Sequence, residues 1–560
     1  MNDFENQGHF VSESIERILQ QIDRDPLSPS YGCAHLAYWR DKTSDVADTR
    51  RQEVMLPLTL LYKQKYPFSN WSGNERLKAA ITSLLSYWCH SQYSDGSFDE
   101  WYKGERAFAA AAFSSHAVAR TLWILQDELQ DEIRKDAKKK LTKTANWLIK
   151  HNDLFKTNHQ AVGVGALAWV GKVINDENIT REAYKKLGSI IKVQHTEGWF
   201  PEIGSMDVGY TFLTVEFITM FMDLLNDWSN VEPFIKAFDF ACEFIHPDLT
   251  IGEEYGSCHN PYLSRIAIVL LSPYSRNAAY LRKQFEDNNI GFKGFQSVLA
   301  DDLRLFRWAY QPLLAYDYHQ SIKYESHNIS FYPIPLKNTK SKNKIFIEEG
   351  IACLKLLEST ILIVAKAGGL VRFIGENGKV FSEHGYAIKI DDKYATNLTY
   401  NPNIAIEEVS DVIKVTVPIS IVRKFFPSFL SRVLLRIACT TSFGSIITRK
   451  IIDFIRKKQG TAVNQSSYNL SASSKWFLYR TISIEKDIII INDKLDFDSS
   501  IKAKTIYFVQ SYNHESMILK SIMDYLPDNS VEVKQLTVTR SFSPPFWHIT
   551  EISSNNGQGE

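Results

Sequence analysis

The sequence lacks the features that mark several common classes of protein. Its 64 Lys and Arg residues are balanced by 64 Asp and Glu residues, so the formal net charge is zero. This balance removes the general electrostatic attraction expected of a nucleic-acid-binding protein. The six cysteines are scattered and form no CxxC pair. Their spacing predicts neither a zinc site nor a disulfide framework, and it favours buried, reduced thiols.

The sequence also shows no segment typical of a targeting signal or of a membrane-spanning helix. The first residues, MNDFEN, are polar and acidic, whereas a signal peptide has a basic segment followed by an apolar stretch. No uncharged run reaches the length needed to span a bilayer. We therefore expect a cytoplasmic protein.

The chain is long enough for two or three domains, and its first half has a helical texture. From about residue 12 to residue 314 the apolar side chains recur mostly at helical spacing, between short loops rich in Gly, Asp, Asn and Pro. Such hairpins can close into an α/α toroid or stack as an open solenoid. The predicted helices cover residues 56–66, 77–93, 107–129, 133–151, 161–174, 183–193, 211–228, 231–245 and 261–271.

The texture changes to strands after about residue 326. Residues 364–373 predict two strands around the turn at Gly368 and Gly369. Alternating or continuous apolar runs that continue to the end of the chain are typical of a β-sandwich. The other predicted strands cover residues 386–390, 413–417, 476–484, 487–491 and 504–509.

Residues 419–458 do not fit a sandwich, because they are apolar and basic together. Apolar side chains three and four residues apart predict a helical insertion here. One interpretation is an in-plane anchor on anionic lipid, which would give peripheral membrane contact. The other is a helical pair packed on a neighbouring domain with its arginines in water. The cationic residues, set against Asp453 alone, are Arg423, Lys424, Arg432, Arg436, Arg449, Lys450, Arg456, Lys457 and Lys458.

Three loops between the predicted helices combine acidic and aromatic residues beside a glycine. If the helices form hairpins, the tips of these loops collect on one face. Aromatic rings stack on sugars and carboxylates accept hydrogen bonds from hydroxyl groups, so such a face suits glycan binding. The aromatic content of 13% agrees with this use. The candidate binding residues are Asp95, Glu100, Trp101, Glu197, Trp199, Glu202, Glu254 and Tyr255.

A helical toroid followed by a β-sandwich resembles the heparinase II/III-like family of polysaccharide lyases. Residues 158–168, NHQAVGVGALA, resemble the Asn-His helix start of that family, and DVGYT at residues 207–211 resembles the segment with its catalytic tyrosine. The Gly368-Gly369 turn resembles the opening of its sandwich. The resemblance implies an incomplete helical barrel, the α/α toroid, over residues 1–325 and an antiparallel sandwich over residues 326–560.

The resemblance also implies β-elimination next to a uronic acid. Asn158 and His159 would neutralise the uronate carboxylate, and Tyr210 would be the proton donor or acid/base. A histidine, His259 or His384, would be the base. The family's sandwich supplies a His-x-His-x-Asp-like strand, whereas the nearest match here is the single His384.

Other interpretations of the same residues stay open. Asn158 fits the N-cap of its helix. The loop carboxylates could form the acid and base of an inverting glycoside hydrolase. A uronate C5-epimerase or a non-catalytic glycan-binding protein would also use this architecture. No cofactor is predicted; several carboxylates could hold a structural divalent metal, but no spacing demands one. The expected partner is an acidic polysaccharide, linked to surface-polysaccharide metabolism.

Overall fold

The structure, a computed structural model, describes most of the chain in two connected parts. One part is helical and ends at residue 323, and the other is formed mainly of strands and begins at residue 344. The predicted domain boundary at residues 325 and 326 lies outside the described residues. The description covers residues 1–555 except 154, 258–259, 289–297, 324–343, 357–358, 376–379, 391–392, 399, 411, 425–427, 459–467, 471–475, 486–487, 503–504, 512–516, 522–531 and 544–545.

The predicted helices are present, with ends that differ from the prediction by a few residues. Several begin at a polar N-cap whose side chain accepts a first-turn N–H, as Asn74, Asp176 and Ser264 do. The helices of the first part are α1 (Asp3–Glu13), α2 (Ile15–Leu19), α3 (Leu36–Trp39), α4 (Met55–Lys63), α5 (Glu75–Ser91), α6 (Phe108–Ile124), α7 (Asp131–Lys150), α8 (Thr157–Ile174), α9 (Glu177–Ile191), α10 (Val208–Leu225), α11 (Glu232–Cys242), α12 (Arg265–Leu271), α13 (Arg276–Asp287), α14 (Asp302–Trp308) and α15 (Tyr310–Ser321). A 3-10 helix, Thr49–Val54, precedes α4.

The helices form a closed double ring, which confirms the toroid over the open solenoid. The inner helices α4, α6, α8, α10, α12 and α15 each pack on the next, and α15 returns onto α4. Helices such as α7 and α9 lie outside and bury one face only, whereas α6 and α10 are buried almost all round. By length and composition α10 could cross a membrane, but 78% of it is buried inside the ring.

The inner helices α4, α6, α8, α10 and α12 begin at the same end of the ring. Each of the first four is followed by an outer helix that packs on it and leads to the next, so these inner helices are parallel. The loops that lead into them therefore gather at one mouth. The positive ends of the helix dipoles meet there as well, which favours negatively charged groups at the mouth.

The second part is an antiparallel β-sandwich, as predicted. One sheet has the order β1-β2-β3-β4-β5-β6-β9-β10, with β13 pairing β5 and β14; the other has the order β16-β15-β12-β11-β8-β7. Apolar side chains of both sheets pack between them. The strands are β1 (Lys344–Phe346), β2 (Ile351–Leu356), β3 (Ser359–Val364), β4 (Leu370–Ile374), β5 (Val380–Ile390), β6 (Lys393–Thr396), β7 (Ile406–Val409), β8 (Val412–Pro418), β9 (Ser420–Lys424), β10 (Tyr468–Leu470), β11 (Phe477–Glu485), β12 (Ile488–Lys502), β13 (Thr505–Ser511), β14 (Met517–Ser521), β15 (Glu532–Ser543) and β16 (Phe546–Asn555).

The insertion begins later than predicted. The prediction of helix from residue 419 is wrong for Ser420–Lys424, which form β9 and pair with β6 and β10. The segment reads Ser-Ile-Val-Arg-Lys, and its β-branched residues Ile421 and Val422 suit a strand. Two helices follow, α16 (Phe429–Ala438) and α17 (Ser442–Lys458).

A buried ionic network joins the two sheets. Arg480 Nη2 donates to Asp493 Oδ2 at 2.7 Å and to Glu383 Oε1 at 3.1 Å. Arg540 donates to Asp493 at 2.7 Å and to the Tyr386 hydroxyl at 2.6 Å. Burial acts to raise the pKa of Asp493, but the two guanidinium groups hold it below its usual range.

Removal of the central carboxylate should destabilise the sandwich strongly. We expect Asp493→Ala to lower the free energy of unfolding by roughly 3–5 kcal/mol, because two buried arginines lose a partner. Asp496 lies on the same strand and forms a partly exposed ion pair with Lys494. Asp496→Ala should therefore lower the free energy of unfolding by less than about 1 kcal/mol. Urea denaturation measures both. Equal losses in the two variants would show that the network does not stabilise the sandwich.

Candidate active site

One buried residue, Glu202, links three segments at the mouth. Glu202 lies between α9 and α10, and its Oε2 accepts the backbone N–H of Asn158 at 3.3 Å. The Glu202 carbonyl accepts the Ser257 hydroxyl at 3.1 Å, and its N–H donates to the carbonyl of Ser205 at 2.7 Å. The start of α8, the second acidic loop and the third acidic loop are thus held in one place.

The environment of Glu202 changes its titration. The residue is only 2% exposed, and burial raises the pKa of its carboxyl to about 8. Glu202 is therefore largely protonated at neutral pH. Because it is sealed from solvent, it supports the neighbouring loops, and the predicted direct contact with sugar is not retained for it.

Two amides at the mouth, those of Asn158 and Asn260, are buried. Asn158 is the second residue of α8, whose N-cap is Lys156, so its interpretation as the N-cap is wrong. The Oδ1 and Nδ2 atoms of both residues meet hydrogen-bond geometry with no described residue, although the Asn158 side chain lies close enough to the Glu202 carboxyl to lower its pKa. Asn260 lies against Gly209, where a Cβ would come within 3.1 Å of the Asn260 Cγ. A buried amide without a hydrogen-bond partner destabilises the fold, and a polar ligand that pairs with it removes this cost.

His159 is paired with a carboxylate at the start of the same helix. Its Nδ1 lies 2.8 Å from Asp153 Oδ2. Burial lowers the pKa of His159, Lys156 and Arg50 act in the same direction, and Asp153 opposes them. We assign the proton of the neutral imidazole to Nδ1, since Asp153 is an acceptor; Nε2 then carries the lone pair. The ring meets Phe113 edge to face at 5.9 Å.

Tyr210 stands at the start of α10, the next inner helix. Its N–H donates to Asp207 Oδ1 at 2.9 Å, and its side chain is half-buried. The third loop packs directly on this helix start, because Val208 N–H donates to the Tyr255 carbonyl at 3.1 Å. A Cβ at Gly256 would lie 2.5 Å from Asp207, so no larger residue fits there. Asn158, His159 and Tyr210 therefore share one end of two adjacent, parallel helices.

The first acidic loop supplies an exposed ring to the mouth. Trp101 is 63% exposed, with the Arg307 guanidinium 5.7 Å from its ring centre. Arg307 also donates to Glu100 Oε1 at 2.9 Å. Asp95 forms an ion pair with Arg106 at the turn of the loop. Of the predicted stacking residues, Trp101 has the most open ring, whereas Glu100 and Asp95 are engaged with arginines.

The second acidic loop turns its side chains toward the sandwich. Trp199 Nε1 donates to Glu349 Oε1 at 2.6 Å, and its ring stacks on His195 at 4.3 Å. Partial burial and the neighbouring Glu349 carboxyl raise the pKa of Glu197 to about 7. One face of Trp199 is thus occupied by His195. The predicted sugar-binding role of Glu197 and Trp199 is replaced by contacts between the two domains.

The third acidic loop lies at the same seam. Glu254 Oε2 accepts a hydrogen bond from Arg372 Nη2 at 2.7 Å, and His384 Nε2 lies 3.9 Å from the other oxygen. Tyr255 is 1% exposed, and its hydroxyl is 2.7 Å from His246 Nε2. Burial leaves no face of Tyr255 open to a sugar, so its stacking role is not retained. His384 is brought to the toroid by β5 and faces the loop.

Several residues of this arrangement were not anticipated. Asp153 and Asn260 are ordinary loop residues in the sequence; the loop before α8 brings Asp153 to His159, and the fold brings Asn260 against Gly209 at the start of α10. Arg372 carried a usable signal, because it is a lone charge in the apolar strand β4. The predicted base His259 lies outside the described residues.

Comparisons with known proteins agree with this architecture. Residues 34–257 match the family model for the ulvan lyase N-terminal domain. A Paenibacillus xanthan lyase is similar at 11% identity and TM-score 0.51, over 90% of this chain and 46% of that one. A Streptomyces coelicolor A3 chondroitin AC lyase in complex with chondroitin sulphate is similar at 10% identity and TM-score 0.51, over 90% and 68%. No curated protein matches significantly.

The likeness to these solved structures is one of fold, a helical toroid followed by a β-sandwich. The predicted resemblance is confirmed for the fold and for the N-terminal lyase domain. The matched region contains Asn158, His159 and Tyr210. The chain spans less than half the length of the xanthan lyase.

The buried Glu202 should make stability depend on pH. A carboxyl whose pKa rises from 4.5 unfolded to about 8 folded stabilises the fold fully below pH 4.5. That contribution is lost as the pH rises through 8. Compared with the wild type, Glu202→Gln should therefore lose less stability between pH 5 and pH 8, which thermal melts at each pH would show. Exposed Glu485→Gln is the control, and identical slopes for Glu202→Gln and the wild type would contradict the assignment.

Proposed function

We propose that the protein is a polysaccharide lyase that cleaves an acidic, uronate-containing glycan by β-elimination. The observation that carries the proposal is the grouping of Asn158, His159 and Tyr210 at one mouth of the ring. β-Elimination needs three operations there: neutralisation of the uronate carboxylate, removal of the C5 proton and protonation of the leaving O4.

The carboxylate is neutralised by the amides and the helix starts. On this proposal, Asn158 and Asn260 donate through Nδ2 to the carboxylate oxygens once the bound glycan has turned these buried amides toward the mouth. These hydrogen bonds strengthen as the C5 carbanion delocalises into an enediolate. The positive helix ends at the mouth act in the same direction. Both effects make the C5 proton more acidic.

His159 is the base in this arrangement. The neutral imidazole accepts the C5 proton at Nε2, while Asp153 holds Nδ1–H and stabilises the imidazolium that forms. The sequence assigned His159 to carboxylate neutralisation, but the Asp153 contact suits it better to proton removal. His384 faces Glu254 at the domain seam and is not needed for this step.

Tyr210 then donates its proton to O4 as the glycosidic bond breaks. An ordinary tyrosine, with a pKa of about 10, is protonated at neutral pH and needs no perturbation to act as an acid. The C4–O4 bond breaks, which leaves one chain with a new reducing end that keeps O4 and another chain that ends in a 4,5-unsaturated uronate. His159 has gained the proton that C5 lost, and Tyr210 has lost the proton that O4 gained, so the charges balance. Proton transfer from the imidazolium to the phenolate through solvent then restores both residues.

The carboxylates give weaker support to the glycoside hydrolase alternative. Glu100 and Glu254 accept hydrogen bonds from arginines, Glu197 faces the sandwich, and Glu202 is buried. Their partners place them in different environments. A C5-epimerase would share the proton-removal step, but it would exchange solvent deuterium into the uronate without cleavage.

The lyase activity has a direct test. Purified protein incubated with a panel of acidic polysaccharides should generate the near-ultraviolet absorbance of an unsaturated uronate on at least one of them. Tyr210→Phe should reduce that rate by about 10²-fold or more, because the leaving oxygen loses its acid. Thermal melting should be little changed, since the substitution removes one oxygen from a half-buried ring.

The matched control is Tyr479→Phe, an exposed tyrosine of the sandwich, which should keep the wild-type rate. Full activity in Tyr210→Phe would reject the assigned acid. A new reducing end without absorbance would instead indicate a hydrolase.

We also propose that the enzyme contacts an anionic membrane through α16 and α17. Both helices expose large apolar side chains beside arginine and lysine, a combination that binds the interface of anionic bilayers. The pair is held to the toroid by an Arg436–Asp45 ion pair and lies beside Lys103 of the first acidic loop. The exposed apolar residues are Phe429, Leu430, Leu434, Leu435, Ile437, Phe443, Ile446, Ile447, Ile451 and Phe454.

Vesicle flotation tests the membrane contact. The protein should float with phosphatidylserine–phosphatidylcholine vesicles, less at high salt, and the triple variant Phe429→Ser, Phe443→Ser, Phe454→Ser should stay in solution. Tyr394→Ser with Val409→Ser, exposed apolar residues of the sandwich, is the control. Unchanged flotation of the triple variant would end the proposal. The cytoplasmic location stays a prediction.

A further inference from the structure

A cluster of metal-ligating side chains lies at the seam between the toroid and the sandwich. His195 comes from the loop between α9 and α10, and Glu348 and Glu349 come from the turn between β1 and β2. Each offers one ligand atom, and these atoms all lie within 4.8 Å of one another. His195 Nε2 is 2.7 Å from Glu348 Oε2, and Nδ1 is 3.8 Å from Glu349 Oε1.

Glu349 supplies the observation that points to a ligand. Its side chain is fully buried, and its Oε2 has no hydrogen-bond partner among the described residues. The other oxygen accepts Trp199 Nε1–H at 2.6 Å. A buried carboxylate with one oxygen fixed by a hydrogen bond and the other unpaired has the geometry of a monodentate metal ligand held by its outer shell.

The lysine charge at the seam compensates this carboxylate only in part. Lys366 interacts electrostatically with both Glu349 and Glu348, but its Nζ donates to the Glu348 carbonyl and lies 3.5 Å from the Ser205 hydroxyl. The Glu197 carboxyl is a further neighbour of Glu349, so three carboxyl groups and one imidazole meet here. Either a cation or a proton shared by Glu197 and Glu349 would relieve the repulsion between the carboxyl groups.

We propose that His195, Glu348 and Glu349 bind a divalent cation of the zinc class. One imidazole nitrogen with carboxylate oxygens suits Zn²⁺, and with lower affinity Mn²⁺, whereas Ca²⁺ and Mg²⁺ prefer oxygen ligands alone. Zinc–ligand distances of about 2.0–2.2 Å require the ligand atoms to close by small side-chain rotations. The cation would fasten a toroid loop to the sandwich and so fix how the two domains meet at the mouth.

The test is metal binding by the full-length protein after treatment with a chelator. Calorimetric titration with zinc chloride should show one saturable site per chain, and zinc should raise the melting temperature. Glu349→Gln should weaken zinc binding at least tenfold. Glu348→Ala should do the same, and because this side chain is 74% exposed, the variant will still fold. Glu408→Ala, an exposed carboxylate of β7, is the matched control.

Several outcomes would overturn the proposal. They are no stoichiometric zinc in the wild type, equal affinity in both variants and the wild type, or calcium bound as tightly as zinc. A melting temperature that rises on acidification and does not change when zinc is added would show that Glu197 and Glu349 share a proton there. No glycan enters the measurement, so its result is independent of whether the lyase assay succeeds.

Discussion

The buried contact between Glu202 and the start of α8 is the constraint on which the proposed site depends. Through its side chain and its backbone, Glu202 connects its own loop to Asn158 at the start of α8 and to Ser257 in the third loop. Other contacts, such as that of the Val208 N–H with the Tyr255 carbonyl, also join neighbouring loops, but Glu202 contacts both α8 and the third loop. A carboxyl group can serve this purpose in a dry environment because burial keeps it largely neutral, so the fold carries no uncompensated charge there.

The double ring brings distant residues together. The inner helices α4, α6, α8, α10 and α12 start at the same mouth, so residues far apart in the chain, such as Asn158 and Tyr210, lie at neighbouring helix ends. The sandwich completes one side of this mouth through contacts such as Arg372 to Glu254. The active site and the domain seam therefore share loops, and a cation at His195 would stabilise both.

Periodicity in the sequence was sufficient for the helices and for many of the strands. The apolar spacing of α5 or α10 reflects which side of the helix is buried, and this can be read locally. The turn at Gly368 and Gly369 reflects the backbone freedom of glycine, since both residues have positive φ angles. The resemblance to toroid lyases added Asn158, His159 and Tyr210. The start of the insertion was predicted less well, because the basic residues of β9 made that segment resemble the helices that follow it.

Tertiary partners could not be predicted from the same patterns. Tyr255 looked like a sugar platform, yet the sandwich and α10 bury it. Asn158 fitted an N-cap by residue type, but the helix begins one residue earlier, at Thr157, with Lys156 as its N-cap. The pairing of Asp153 with His159 depends on a loop whose path no periodic pattern encodes. A tertiary contact decided the role of Tyr255, and the local path of the backbone decided those of Asn158 and His159.

The most direct test of the account is a crystal structure of the Tyr210→Phe protein with an acidic oligosaccharide bound. We predict density at the mouth of the ring, with a uronate carboxylate within hydrogen-bond distance of Asn158 Nδ2 and its C5 facing His159 Nε2. A sugar bound elsewhere, or a uronate carboxylate directed away from Asn158, would contradict the proposed site.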